Sequence, residues 1–151
     1  MEDKKETSIA EKVINPKPLK FRDEKEGTIE AIEEYIAQNR SEDTFRVIMF
    51  GHIDKRGLKD AEVYKRAGLT RNVFYCIKRG GNYKISKNSA LRLGIGLELT
   101  LDELEYLLRS AGYSLNPTDP FDLIIRYFLE RRIYDMEKIN LSLYTILGIF
   151  L

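Results

Sequence analysis

Between Lys59 and Asn88 the chain carries the side-chain types that grip a charged, flat-edged partner. Lys59, Lys78, Arg79, Lys84 and Lys87 are cations, and Asn82, Ser86 and Asn88 are short hydrogen-bonding groups. Cations hold phosphate with little demand on geometry, and an amide or hydroxyl adds a directed bond. Thr70, Arg71, Asn72 and Tyr75 form a second set. A guanidinium can bond guanine O6 and N7 together, and a carboxamide can do the same with adenine. The chemistry open to these types is therefore non-covalent recognition of a nucleic acid, the first set on the backbone and the second on bases. Any single lysine is equally a solubilising surface residue, Arg71 equally a solvated one, and Tyr75 equally a local packing group. The weight rests on the cluster.

Charge is distributed accordingly. From Lys55 to Arg92 eleven Lys or Arg face only Asp60 and Glu62, giving 11 − 2 = +9, while the whole chain sums to +1. The remaining residues therefore carry +1 − 9 = −8. A basic middle between acidic ends is the asymmetry of a localised polyanion site.

Other chemistry finds little to stand on. His52 is the single histidine and Cys76 the single cysteine. A metal centre, a histidine-based triad and an internal disulfide all need more than these. Cys76, beside Lys78 and Arg79, reads as a small packed side chain, with a redox-sensitive thiolate as the alternative. Gly94-Ile95-Gly96 begins like a nucleotide fingerprint, but Leu99 stands where the third glycine belongs and no strand precedes it. Asp102 and Glu103, like Glu33 and Glu34, read as helix surface and capping. No catalytic residue, metal or cofactor is expected.

The elements that position the two polar sets follow from periodicity and caps. A helix from about Lys59 to Ala67 puts Val63 and Ala67 on one face, and Gly68 follows where a sharp turn needs positive φ. Thr70 caps a second helix to about Lys78, with Val73, Phe74 and Ile77 at helical spacing. Helix, glycine turn and capped helix is the sequence form of a helix-turn-helix. Around it, helices are predicted from Thr28 to Gln38, from Ser41 to Gly57, and from Ser86 to about Leu97. Thr100 and Glu103 form a capping box opening a helix to Gly112. Two more run from Pro120 to Arg131 and from Asp135 to Leu147. No segment alternates at period two, so the fold class is all-α with about eight helices.

With these helices in place, Leu58 to Leu104 resembles the lambda-repressor-like (XRE or Cro type) helix-turn-helix domains of bacterial and phage regulators. LKDAEVYKRAGLTRNVFYCIKRG and ISKNSALRLGIGLELTLDEL match that pattern without a gap. Gly68 and Leu69 fall on its turn, Arg71 on its common arginine, Phe74 and Ile77 on its buried positions, and Arg79-Gly80 on its closing pair. The resemblance implies a compact five-helix domain whose second motif helix enters the major groove of double-stranded DNA. Thr70, Arg71, Asn72 and Tyr75 would then meet bases, and the cationic and amide set the backbone. It implies a transcriptional regulator, most simply a repressor. Asp60 stands where the pattern has a neutral polar residue and would repel phosphate. Tyr64 stands where it has Ala, so the two helices must splay or the ring must point outward. Gly94 and Gly96 replace alanines, each at a cost on the order of 1 kcal/mol in a helix.

The expected organisation is a flexible charged arm (1–27), an accessory helix (28–40), the helix-turn-helix domain (41–112) and a C-terminal helical extension (113–151). In the arm, Ile9, Val13 and Ile14 offer a brief contact. No apolar run is long enough for a membrane helix, so a cytoplasmic protein is expected. A homodimer is also expected, because one recognition helix reads few bases. Its face is Leu141, Leu143, Ile146, Leu147, Ile149, Phe150 and Leu151, unless these pack back onto their own core. The alternative function is a protein-interaction module on a repurposed helix-turn-helix fold, binding its partner through residues 1–40 or 141–151.

Overall fold

The structure, a computed structural model, describes residues 24–41 and 44–151. The expected arm, with Ile9, Val13 and Ile14, falls on residues 1–27 and so lies outside the described residues up to position 23. All regular structure among the described residues is helical, in eight helices. The chain divides into two compact units, one ending at Ser41 and the other running from Glu42 to Leu151.

The first unit contributes α1, Ile29–Asn39. Thr28 caps it, its hydroxyl accepting from the Ala31 amide at 3.2 Å. None of its residues is buried.

The second unit holds α2 (Thr44–Arg56), α3 (Asp60–Arg66), α4 (Arg71–Arg79), α5 (Lys87–Gly96), α6 (Leu101–Ser110), α7 (Pro120–Glu130) and α8 (Met136–Leu147). The expected helix start at Ser41 adjoins residues 42–43, which are not described. α4 and α6 start at their expected caps, Thr70 and Thr100. The Thr100 hydroxyl accepts from the Glu103 amide at 3.2 Å, and the Glu103 carboxylate accepts from the Thr100 amide at 3.1 Å. Asp119 and Asp135 accept from backbone amides at the starts of α7 and α8. A single apolar core joins all seven helices, from Phe45 and Met49 through Phe74, Leu91 and Leu104 to Ile125, Leu129, Ile139 and Leu143.

Two glycines explain the closest packing. A Cβ on Gly96 would fall 2.7 Å from the Ala67 nitrogen and 2.9 Å from its Cα, so the end of α5 lies directly on the backbone that ends α3. A Cβ on Gly94 would fall on Leu104 Cδ1 in α6. The intimate crossing is thus at Gly96 and Ala67. Tyr64 is half-buried, its ring 5.9 Å from that of Phe74 and tilted by 48°. It therefore packs against the next helix and does not point wholly outward.

The segment after Gly112 is built into this core. The Tyr113 hydroxyl donates to the Ile85 carbonyl at 2.8 Å, and the Tyr134 hydroxyl to the Leu99 carbonyl at 2.6 Å. Leu151 is buried, and its carbonyl accepts from Arg92. The apolar end is divided: Leu143 and Leu151 belong to the core, while Leu141, Ile146, Ile149 and Phe150 are exposed.

Candidate nucleic-acid interface

The helix-turn-helix spacing folds as α3, turn and α4. Gly68 has φ +66, and the Leu69 amide donates back to the Tyr64 carbonyl at 2.9 Å, closing the end of α3. The Thr70 hydroxyl accepts from the Val73 amide at 3.2 Å and starts α4. Arg92 of α5 donates to the Gly68 carbonyl at 3.2 Å, which ties the turn to the core. At the other end of α4, Arg46 of α2 donates to the Lys78 carbonyl and lies against Gly80, where a Cβ would meet its Cδ at 2.7 Å. A helix is thereby clamped at both termini.

Its faces are sharply divided. Phe74 and Ile77 are buried in the core, while Thr70, Arg71, Asn72, Tyr75 and Arg79 are exposed. Arg71 lies over the Tyr75 ring, with its guanidinium carbon 5.3 Å from the centroid, and the Lys78 ammonium is 5.9 Å from the same ring. The set expected to meet bases is therefore exposed together at one helix.

The set expected to meet phosphates is split by ion pairs. Lys78 Nζ is 2.6 Å from Asp60 Oδ2, a bond that raises the lysine pKa and keeps it charged. The Asp60 carboxylate is thus matched within the protein, and the Lys78 charge is committed to it. Lys87 Nζ is 2.7 Å from Asp122 Oδ2 in α7, and Asp122 is buried. Its second role is to accept from the Asn116 amide at 2.7 Å. The Ser86 hydroxyl accepts from the Ser89 amide at 3.1 Å and donates to the Ser89 hydroxyl at 3.0 Å, so it serves as the cap of α5. Lys59, Arg79, Asn82, Lys84 and Asn88 are exposed. Gly80 and Gly81, both at positive φ, turn the chain so that Asn82, Tyr83 and Lys84 project into solvent.

Sequence reasoning missed Arg46, Arg92 and Asp122. Each acts on a residue more than twenty positions away, so no local spacing marks them. His52 lies elsewhere, on α2 facing α6, with Nδ1 3.3 Å from Glu103 Oε2. Burial lowers its pKa, against the opposing pull of Glu103 and with the help of Arg56 and Lys55. Among the described residues no three His, Cys, Asp or Glu side chains gather as a metal site would require, and no helix is long and apolar enough to cross a membrane. The chain matches no family model, no curated protein and no solved structure.

Proposed function

We propose that this protein is a sequence-specific DNA-binding regulator of the lambda-repressor-like kind, reading the major groove with α4. One observation carries the reading: Arg71, Asn72 and Tyr75 are exposed in a row on a helix whose opposite face, Phe74 and Ile77, is buried. That row lies within the segment of charge +9. Arg71 and Asn72 contact bases, Tyr75 packs on the sugar edge or a thymine methyl, and Thr70 bonds where the helix enters. Lys59, Arg79, Asn82, Lys84 and Asn88 hold phosphates. Lys78, Ser86 and Lys87, engaged within the protein, contribute by positioning their neighbours.

The test is fluorescence anisotropy against a randomised duplex pool at several salt concentrations, with sequencing of the bound fraction. Salt-sensitive binding with an enriched motif is expected. No binding near about 50 mM salt, where phosphate contacts are strong, would sink the proposal.

A second role, docking of a partner protein, is favoured by α1. Ile29, Ile32, Tyr35 and Ile36 are all exposed on it, and Glu30, Glu33 and Glu34 line the rest. An amphipathic acidic helix fits an apolar groove with a basic rim. Deletion of residues 1–40 abolishes biological activity under this reading, while Arg71→Ala is silent.

A further inference from the structure

A guanidinium that bonds two atoms of one base must be held in one orientation, yet an exposed arginine is among the freest side chains on a helix. Ordering it at the moment of binding is a cost, and a contact that orders it beforehand removes that cost. Arg71 opens α4 and Tyr75 lies one turn later, so the two share a side of the helix. The Arg71 guanidinium carbon lies over the Tyr75 ring, 5.3 Å from its centre. A cation over an aromatic face needs none of its N–H donors to be held there. Among the described residues Arg71 pairs with no carboxylate. Arg131 makes the contrast. It too lies over a ring, 3.7 Å from the centre of Tyr127, but it also donates to the Tyr127 carbonyl at 3.1 Å and lies 3.8 Å from Glu130. Part of its donor set is spent within the protein.

The ring beneath Arg71 is itself braced. Tyr75 is 37% exposed, the least of the exposed tyrosines. Its plane meets that of Phe74 at 73°, with centroids 6.0 Å apart, and Phe74 is fully buried in the core. The Lys78 ammonium lies 5.9 Å from the same Tyr75 ring and 2.6 Å from Asp60 Oδ2. Asp60 belongs to α3, so the ring has support from the core through Phe74 and from the neighbouring helix through Lys78. A tyrosine has few side-chain rotations to freeze, which makes it an inexpensive platform for a longer, freer side chain.

We infer that Tyr75 is a positioning residue for Arg71. Its ring, braced by Phe74 and Lys78, presets the guanidinium with its N–H donors open, so that the arginine meets a base already ordered. The inference rests on the reading of α4 as the base-contacting helix. It gives Tyr75 a role that acts through Arg71, separate from any contact the ring itself makes with DNA.

Anisotropy of the full chain on the selected and the random duplex, joined to NMR of the protein without DNA, is the test. Tyr75→Leu should lower the ratio of selected to random affinity about fivefold, and Tyr75→Phe, which keeps the ring, should restore it. In an Arg71→Ala background the same Tyr75→Leu change should move the ratio less than about twofold, because the side chain it positions is gone. An equal loss in both backgrounds overturns the inference, as does a ratio indifferent to Tyr75→Leu. Should Tyr75→Leu unfold the chain, Tyr75→Met takes its place. Without DNA, ring shielding should place the Arg71 Hδ resonances upfield of their position in Tyr75→Leu, and its absence overturns the inference whatever the duplexes show. If the unmodified protein selects no duplex, the inference falls with the reading of α4, and the shielding separates the two failures. Shielding then means that the contact is real but the helix does not read bases; no shielding means that the positioning contact itself is missing.

Discussion

Asp60 and Lys78 exemplify how single residues at this surface change meaning once their partners are known. Read alone, one repels phosphate and the other attracts it; 2.6 Å apart they cancel. Under the proposed function, exposed cations such as Lys84 would carry the non-specific attraction instead. Arg71→Ala is expected to cost about 1–3 kcal/mol of affinity for the selected motif and little on random duplex. Lys84→Ala should weaken both alike and lower the salt slope by about one. Anisotropy on the two duplexes separates these outcomes. Lys87→Ala belongs to a different class, because it strands the buried Asp122 carboxylate. It should destabilise the fold by roughly 2–4 kcal/mol, seen in urea unfolding before any DNA is added. His52 gives a pH signature. Its folded pKa lies below the ordinary 6.5, so the unfolded chain takes up the proton first. Stability is therefore full above about pH 6.5 and falls as pH drops from there toward the folded value, and His52→Gln should remove that slope from urea midpoints measured between about pH 7.5 and 5.5. Residue types alone pointed to the outward row, since type, cap and helical phase are local. They did not reveal that Lys78, Ser86 and Lys87 are engaged, because the partners of two of them come from other helices.

At the scale of elements, caps and glycines decided the outcome. Thr28, Thr70, Ser86, Thr100, Asp119 and Asp135 each accept a bond from the backbone of the helix they open, which is why its start was legible. Helix packing was less legible. Gly94 and Gly96 read as penalties from helix propensity, yet Gly96 is what lets α5 rest on the backbone of Ala67. Gly96→Ala gains up to about 1 kcal/mol of propensity but must push two backbones apart. A net loss of about 1–3 kcal/mol is expected, with a lowered melting temperature. Gly94→Ala should cost less, since the obstacle is a leucine methyl that can turn aside. The room for Tyr64 was not legible either: it depends on where the closest crossing falls, and that is set by a glycine some thirty residues later.

For the whole molecule, the expected boundary at Gly112 divides the names of the parts but not the core. Ile125, Leu129, Ile139 and Leu143 are buried with the helix-turn-helix residues in one cluster. A fragment ending at Gly112 exposes the faces of α5 and α6 that these residues cover. It is expected to show no cooperative thermal transition by circular dichroism, while the full chain melts cooperatively. The all-helical class was evident from period and composition, whereas this integration was not, since apolar stripes on α7 and α8 do not say which surface they will meet. Arg92 adds a consequence in time. One guanidinium bonds the Gly68 carbonyl in the turn and, 59 positions downstream, the Leu151 carbonyl. During synthesis the turn can close as soon as α5 has emerged, but the second bond must wait for Leu151. Until residue 151 has been made, the guanidinium that steadies the turn before α4 holds only one of its two carbonyls.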